Sequence, residues 1–113
     1  MEKTLVIKDQ IKTNLAITSE KARRIEEIVL ESVKNKQQIE LDFSGIDTLT
    51  TAFLNVAIGS LYTKYNPTIL NKYVHIKASS LTPFQQSKIQ LVMQNAKAKL
   101  SNNDINEELF NGK

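Results

Sequence analysis

Leu41-Asp42-Phe43-Ser44-Gly45-Ile46-Asp47-Thr48-Leu49-Thr50-Thr51-Ala52-Phe53-Leu54 is the passage from which the architecture can be read. Ahead of the turn, Ile39, Leu41 and Phe43 alternate with Glu40 and Asp42, the period of a half-buried strand. A strand covered on both faces would read as continuous hydrophobics, so the pattern predicts a sheet with one covered face and one open face. Ser44-Gly45-Ile46-Asp47 is turn chemistry, and a helix then starts at Thr50 or Thr51 and runs to about Lys64. Asn66-Pro67 ends it, because the residue before a proline is driven out of the helical region.

Working outward, Thr4 to Lys8 is short and β-branched and reads as a first strand, with Asn14 to Thr18 a second short extended piece. Thr18 and Ser19 offer a cap, and Ala22, Ile25, Ile28, Val29 and Val33 recur at helical spacing, predicting a helix from about Ser19 to Asn35. Tyr73 to Ala78 alternates again. Thr82-Pro83 opens the last helix, whose stripe is Ile89, Val92, Met93, Ala96 and Leu100. The order strand, helix, strand, helix, strand, helix predicts an α/β domain with parallel pairings and right-handed crossovers, its helices mainly on one face of the sheet. Residues 1–100 form that domain, and 101–113 a polar tail with one helical turn holding Ile105, Leu109 and Phe110.

Composition narrows the function. The chain has 113 residues, 41% of them hydrophobic and 24% charged, enough for one self-supporting core. With no cysteine, there is no disulfide framework, thiolate metal site or cysteine nucleophile, and the single histidine, His75, leaves few routes to a serine-type triad. Gly45, Gly59 and Gly112 stand too far apart for a phosphate-binding loop. The expectation is a protein that is not an enzyme and carries no cofactor. A net charge of +3 is scattered along the chain, with Arg23 and Arg24 answered at once by Glu26, Glu27 and Glu31, which argues against nucleic acid. No apolar run is long enough for a bilayer or a signal peptide, so the expected location is cytoplasmic, with no membrane partner.

Polar candidates are few. His75 reads as an exposed strand residue, Glu26-Glu27 as a solvated helix face, and Tyr62, Tyr65 and Tyr73 as amphipathic rim residues. Asp42 and Asp47 have no third acid close in sequence, so no metal site is expected. Thr50 and Thr51 are adjacent hydroxyls at a helix start, where backbone N–H groups are unpaired and negative charge is favoured. One of them serves as a cap, and either is a candidate for phosphorylation. The helix that follows carries two apolar stripes, Phe53-Val56-Ala57 and Leu54-Ile58-Leu61-Tyr65. Such a helix is either wedged between two others or presents one stripe to a partner.

The strand, turn and helix together resemble the STAS-like domains, short relatives of bacterial anti-sigma-factor antagonists. Their pattern is a strand ending in Asp-Leu-Ser-Gly-Val, followed after a few residues by Asp-Ser-x-Gly-Leu opening a helix. Asp42-Phe43-Ser44-Gly45-Ile46-Asp47 matches the first half, and Thr50-Thr51-Ala52-Phe53-Leu54 stands in place of the second. The family's phosphorylated serine falls on Thr51 and its neighbouring Asp on Thr50, with Phe53 replacing the glycine. Phe84-Gln85-Gln86-Ser87-Lys88-Ile89 is similar to the last helix of the STAS-like subgroup, so the resemblance spans most of residues 4–100. What it implies is a non-enzymatic regulatory module that docks a histidine-kinase-like ATPase, such as an anti-sigma factor, and is switched at Thr51. The expected docking residues are Asp42, Ser44, Asp47, Leu54, Ile58 and Leu61. The alternative is a structural module that homodimerises through the helix from Thr50 to Tyr62.

Overall fold

A computed structural model describes residues 2–111, with side chains through residue 98. Three parallel strands, β1 (Lys3–Val6), β3 (Ile39–Asp42) and β5 (Val74–Ile76), form a sheet in the order β1-β3-β5. Its register places Leu5 beside Leu41 and Leu41 beside Ile76, with Ile39 beside Val74. These residues line the covered face, while Thr4, Glu40 and His75 form a row across the open one. The alternation of Ile39 to Phe43 therefore reports what it predicted, a sheet with helices mainly on one side. His75 is exposed on that open face, its Nδ1 2.5 Å from the Glu2 carboxylate.

Helix α2 (Ser19–Lys34) lies where its spacing placed it, capped by Thr18 and burying Ala22, Ile25, Val29 and Val33. Glu26 departs from the solvated face expected of it. It is buried and accepts a hydrogen bond from the Ser60 hydroxyl, with the Lys64 ammonium 3.9 Å away. A carboxylate can be buried here because Ser60 and Lys64, four residues apart on one neighbouring segment, supply those partners.

The first strand is shorter than Thr4 to Lys8. At Ile7 the chain turns into α1 (Ile7–Ile11), because Ile7 and Ile11, four apart, share one helical face and both reach the core. The next extended piece, β2 (Leu15–Ala16), pairs in parallel with β4 (Thr48–Leu49) in a separate two-stranded sheet. Helix α3 (Thr51–Ala57) does not continue to Lys64. It tightens into a 3-10 helix over Gly59–Thr63, where Gly59 and Ser60 are weak helix formers and the Ser60 hydroxyl reaches back to the Val56 carbonyl at 2.5 Å.

Asn66-Pro67 stops that segment and also starts another. Asn66 accepts a hydrogen bond from the Ile69 N–H (2.9 Å), and Pro67 is the first residue of α4 (Pro67–Tyr73). Tyr73 therefore ends a helix instead of opening the strand. After a 3-10 turn over Ala78–Ser80, helix α5 (Pro83–Asn111) begins with a capping box. Thr82 accepts from the Gln85 N–H (3.1 Å), and the Gln85 side chain accepts from the Thr82 N–H (3.0 Å). The α5 backbone continues through the stretch expected to be a separate tail; the side chains of Ile105, Leu109 and Phe110 lie outside the described ones. Among the described residues no helix is long and apolar enough to cross a membrane.

Candidate functional site: the junction of β4 and α3

The junction is assembled on the turn that leaves β3. Asp42 accepts a hydrogen bond from the Ser44 N–H at 2.8 Å, and its carboxylate lies 3.8 Å from the Lys77 ammonium. The Ser44 hydroxyl and backbone N–H, followed by Lys77, hold the Asp42 carboxyl below its ordinary value against the opposing effect of burial. Gly45 then takes a φ of +81°, a conformation that costs any residue with a β-carbon. Lys8 lies across it.

Beyond the turn, neighbouring elements hold the chain through its backbone. The Ile46 carbonyl accepts from the buried Gln85 side chain at 3.0 Å, and the Asp47 N–H donates to the Asn14 carbonyl at 2.9 Å. The Asn14 amide also donates to the Asp47 carboxylate. On one side of β4, Thr50 N–H donates to the Ala16 carbonyl at 3.1 Å. On the other, the Lys88 ammonium of α5 donates to the Leu49 carbonyl at 2.8 Å while sitting 4.6 Å from the centre of the Phe84 ring.

The two threonines have different surroundings. Thr50 is half-buried and is the cap of α3: its Oγ1 accepts from the Phe53 N–H (3.1 Å) and donates to the Ile17 carbonyl (3.2 Å). Its hydroxyl is thus engaged both as donor and as acceptor. Thr51 is exposed, and its hydroxyl makes no hydrogen bond among the described residues. Ala52 and Asn55, also exposed, share its side of the helix.

The docking stripe expected on this helix is not on the surface. Leu54, Ile58 and Leu61 are 0%, 3% and 1% exposed. Both stripes are covered because α3 packs against α2 on one side and α5 on the other, with α5 also leaning on the 59–63 segment. This is the wedged arrangement, and it leaves the stripe free for neither a foreign partner nor a second copy. Tyr62, expected at the rim, joins the same core, and burial pushes its phenol up. Of the remaining residues, Ser44 and Asp47 are exposed around the junction and Asp42 is half-buried behind them.

Sequence reasoning overlooked four further residues. Leu15 and Ile17 are 44% and 41% exposed on the β2 side, and Phe84 is 70% exposed beside the half-buried Lys88 on the α5 side. Their signal was faint: Leu15 and Ile17 flank the buried Ala16 in an alternation only three residues long. Ile17 meets Thr50 through its carbonyl and Lys88 meets Leu49, so the four lie on the segments that flank β4 and the start of α3.

A comparison with known protein families matches residues 21–82, just over half of the chain, to a family described as STAS-like domain of unknown function (DUF4325). The match runs from α2 through the junction to the residue that caps α5. No curated protein and no solved structure matches significantly.

Proposed function

The chain belongs to the STAS-like domains of unknown function, and on that premise we propose that it is a non-enzymatic regulatory module that docks a partner protein at the β4–α3 junction. The observation that carries this reading is the contrast at Thr50 and Thr51. One hydroxyl is consumed in building the helix start, and the next is exposed and unbonded, while Leu15, Ile17 and Phe84 are exposed on the segments that flank the junction. The resemblance to anti-sigma-factor antagonists suggests the partner, a histidine-kinase-like ATPase. It also suggests the switch, phosphorylation of Thr51. A phosphate there adds nearly two negative charges to a surface of Leu15, Ile17 and Phe84 side chains, which opposes the desolvation that docking requires.

Docking uses the exposed residues of the junction, Ser44, Asp47, Thr51 and Asn55, with Leu15, Ile17 and Phe84 in place of the buried Leu54, Ile58 and Leu61. Wild-type and Thr51→Glu proteins used as baits in the native cell, with captured proteins identified by mass spectrometry, test the proposal. An ATPase held by the wild type and released by Thr51→Glu is the expected result. If both baits recover only the protein itself, the proposal fails.

A further inference from the structure

The outer edge of β5 has no strand beside it among the described residues. The hydrogen bond from the Lys77 N–H to the Leu41 carbonyl (3.0 Å) sets the alternation of this ladder. His75 and Lys77 point their backbone groups toward β3, so the Ile76 N–H and C=O and the Val74 C=O point away from it. Helix α5 runs along this edge without closing on it, because it rests on α3 and the 59–63 segment. Between strand edge and helix lies a groove of about 400 Å³.

Val74, Ile76, Leu81, Ile89 and Met93 make the groove apolar, and Asn71, Gln86 and Gln90 supply amide groups at its sides. Gln86 is engaged with the Ala78 carbonyl at 3.0 Å, while the Asn71 and Gln90 side chains make no hydrogen bond among the described residues. No lysine, arginine or carboxylate lines it; its one titratable side chain, His75, is already bonded to Glu2.

We propose that the groove between β5 and α5 receives an extended, uncharged peptide segment of a partner protein, which joins the sheet as the next strand beyond β5. Three features select that occupant. An unpaired strand edge offers donors and acceptors at the spacing of another main chain. The Asn71 and Gln90 amides can each donate and accept, as a peptide group requires. An apolar floor accepts every second side chain, which an extended segment presents on one side. A second copy pairing edge to edge does not fit, because each copy's α5 stands alongside its own edge. The site shares no residue with the β4–α3 junction, so it stands apart from the role of Thr51.

The test begins by panning the full-length protein against a displayed library of random peptides and synthesising the recovered sequence with capped ends. The expected binder is uncharged at alternating positions, and its binding shifts the NMR signals of β5 and of Ile89 and Met93. Methylating its backbone nitrogens on the strand-facing side weakens binding by roughly tenfold or more, because each such group loses a main-chain hydrogen bond. Gln90→Trp, a substitution at an exposed position that fills the groove without touching the core, does the same while retaining the native circular dichroism spectrum. Asn71→Trp provides a second blocking variant, and Thr51→Glu leaves the affinity unchanged. Recovery of no binder, a binder indifferent to N-methylation, or NMR shifts confined to the β4–α3 junction would overturn the proposal.

Discussion

The inner and outer faces of α3 belong to one seven-residue helix and answer to different constraints. Phe53, Leu54 and Ala57 are buried between α2 and α5, whereas Thr51, Ala52 and Asn55 are exposed. The inner face is apolar because it is wedged between α2 and α5. The outer face starts at a hydroxyl that the fold does not use. Stability therefore resides on one face and the proposed recognition on the other, and substitutions should separate them.

The largest effect is expected on the inner face. Phe53→Ala should cost about 3–5 kcal/mol in urea unfolding, and Leu54→Ala about 2–5 kcal/mol, since each empties a site enclosed on all sides. A near-neutral result at Leu54 would return that residue to the surface and restore the stripe as a docking candidate.

At the boundary between the faces the effects are smaller. Gly45→Ala should cost about 1–2 kcal/mol, because it forces a β-carbon into the left-handed region at φ +81°. Thr50→Ala should cost about 1 kcal/mol by removing the cap of α3, and Thr50→Ser should recover most of it. If Thr51→Ala proved the more destabilising of the two alanine variants, the assignment of cap and free hydroxyl would have to be reversed.

Asp42 adds a pH dependence at the base of the junction. Its carboxyl is held below the ordinary value of 3.8, so its ionised form is favoured by folding. That contribution is present above the unfolded-state value, near pH 4, and is lost as the pH falls through the folded-state one. Thermal melts of wild type and Asp42→Asn should therefore differ at neutral pH and converge in acid. A gap that stays constant across this range would deny the Ser44 and Lys77 contacts any ionic component.

The smallest effect on stability is expected at Thr51. Thr51→Ala and Thr51→Glu should both lie within about 0.5 kcal/mol of wild type, as exposed substitutions without bonded partners do.

The legibility of this molecule followed the range of the interactions involved. The pattern from Ile39 to Phe43, the stripe of α2 and the Thr82-Pro83 start of α5 rest on period and local capping, and each was readable from the chain. The α1 turn, the end of α3 at Ala57 and the start of α4 at Pro67 were not. At Ile7 a β-branched run yields to two core contacts, and at Gly59 a continuous apolar pattern hides a change of helix type. Asn66-Pro67 is at once a stop and a start. The candidate site divides in the same way: adjacent hydroxyls at a helix start were visible, but which one the backbone consumes depends on the Ile17 carbonyl, more than thirty residues upstream. Likewise, the burial of Leu54, Ile58 and Leu61 depends on where α5 lies.

The most direct test of the account is the affinity of the captured ATPase for three purified proteins, wild type, Thr51→Ala and Thr51→Glu, all shown to be equally stable. The account predicts tight binding by wild type and Thr51→Ala and a loss of roughly tenfold or more for Thr51→Glu. Equal affinity for all three would contradict it.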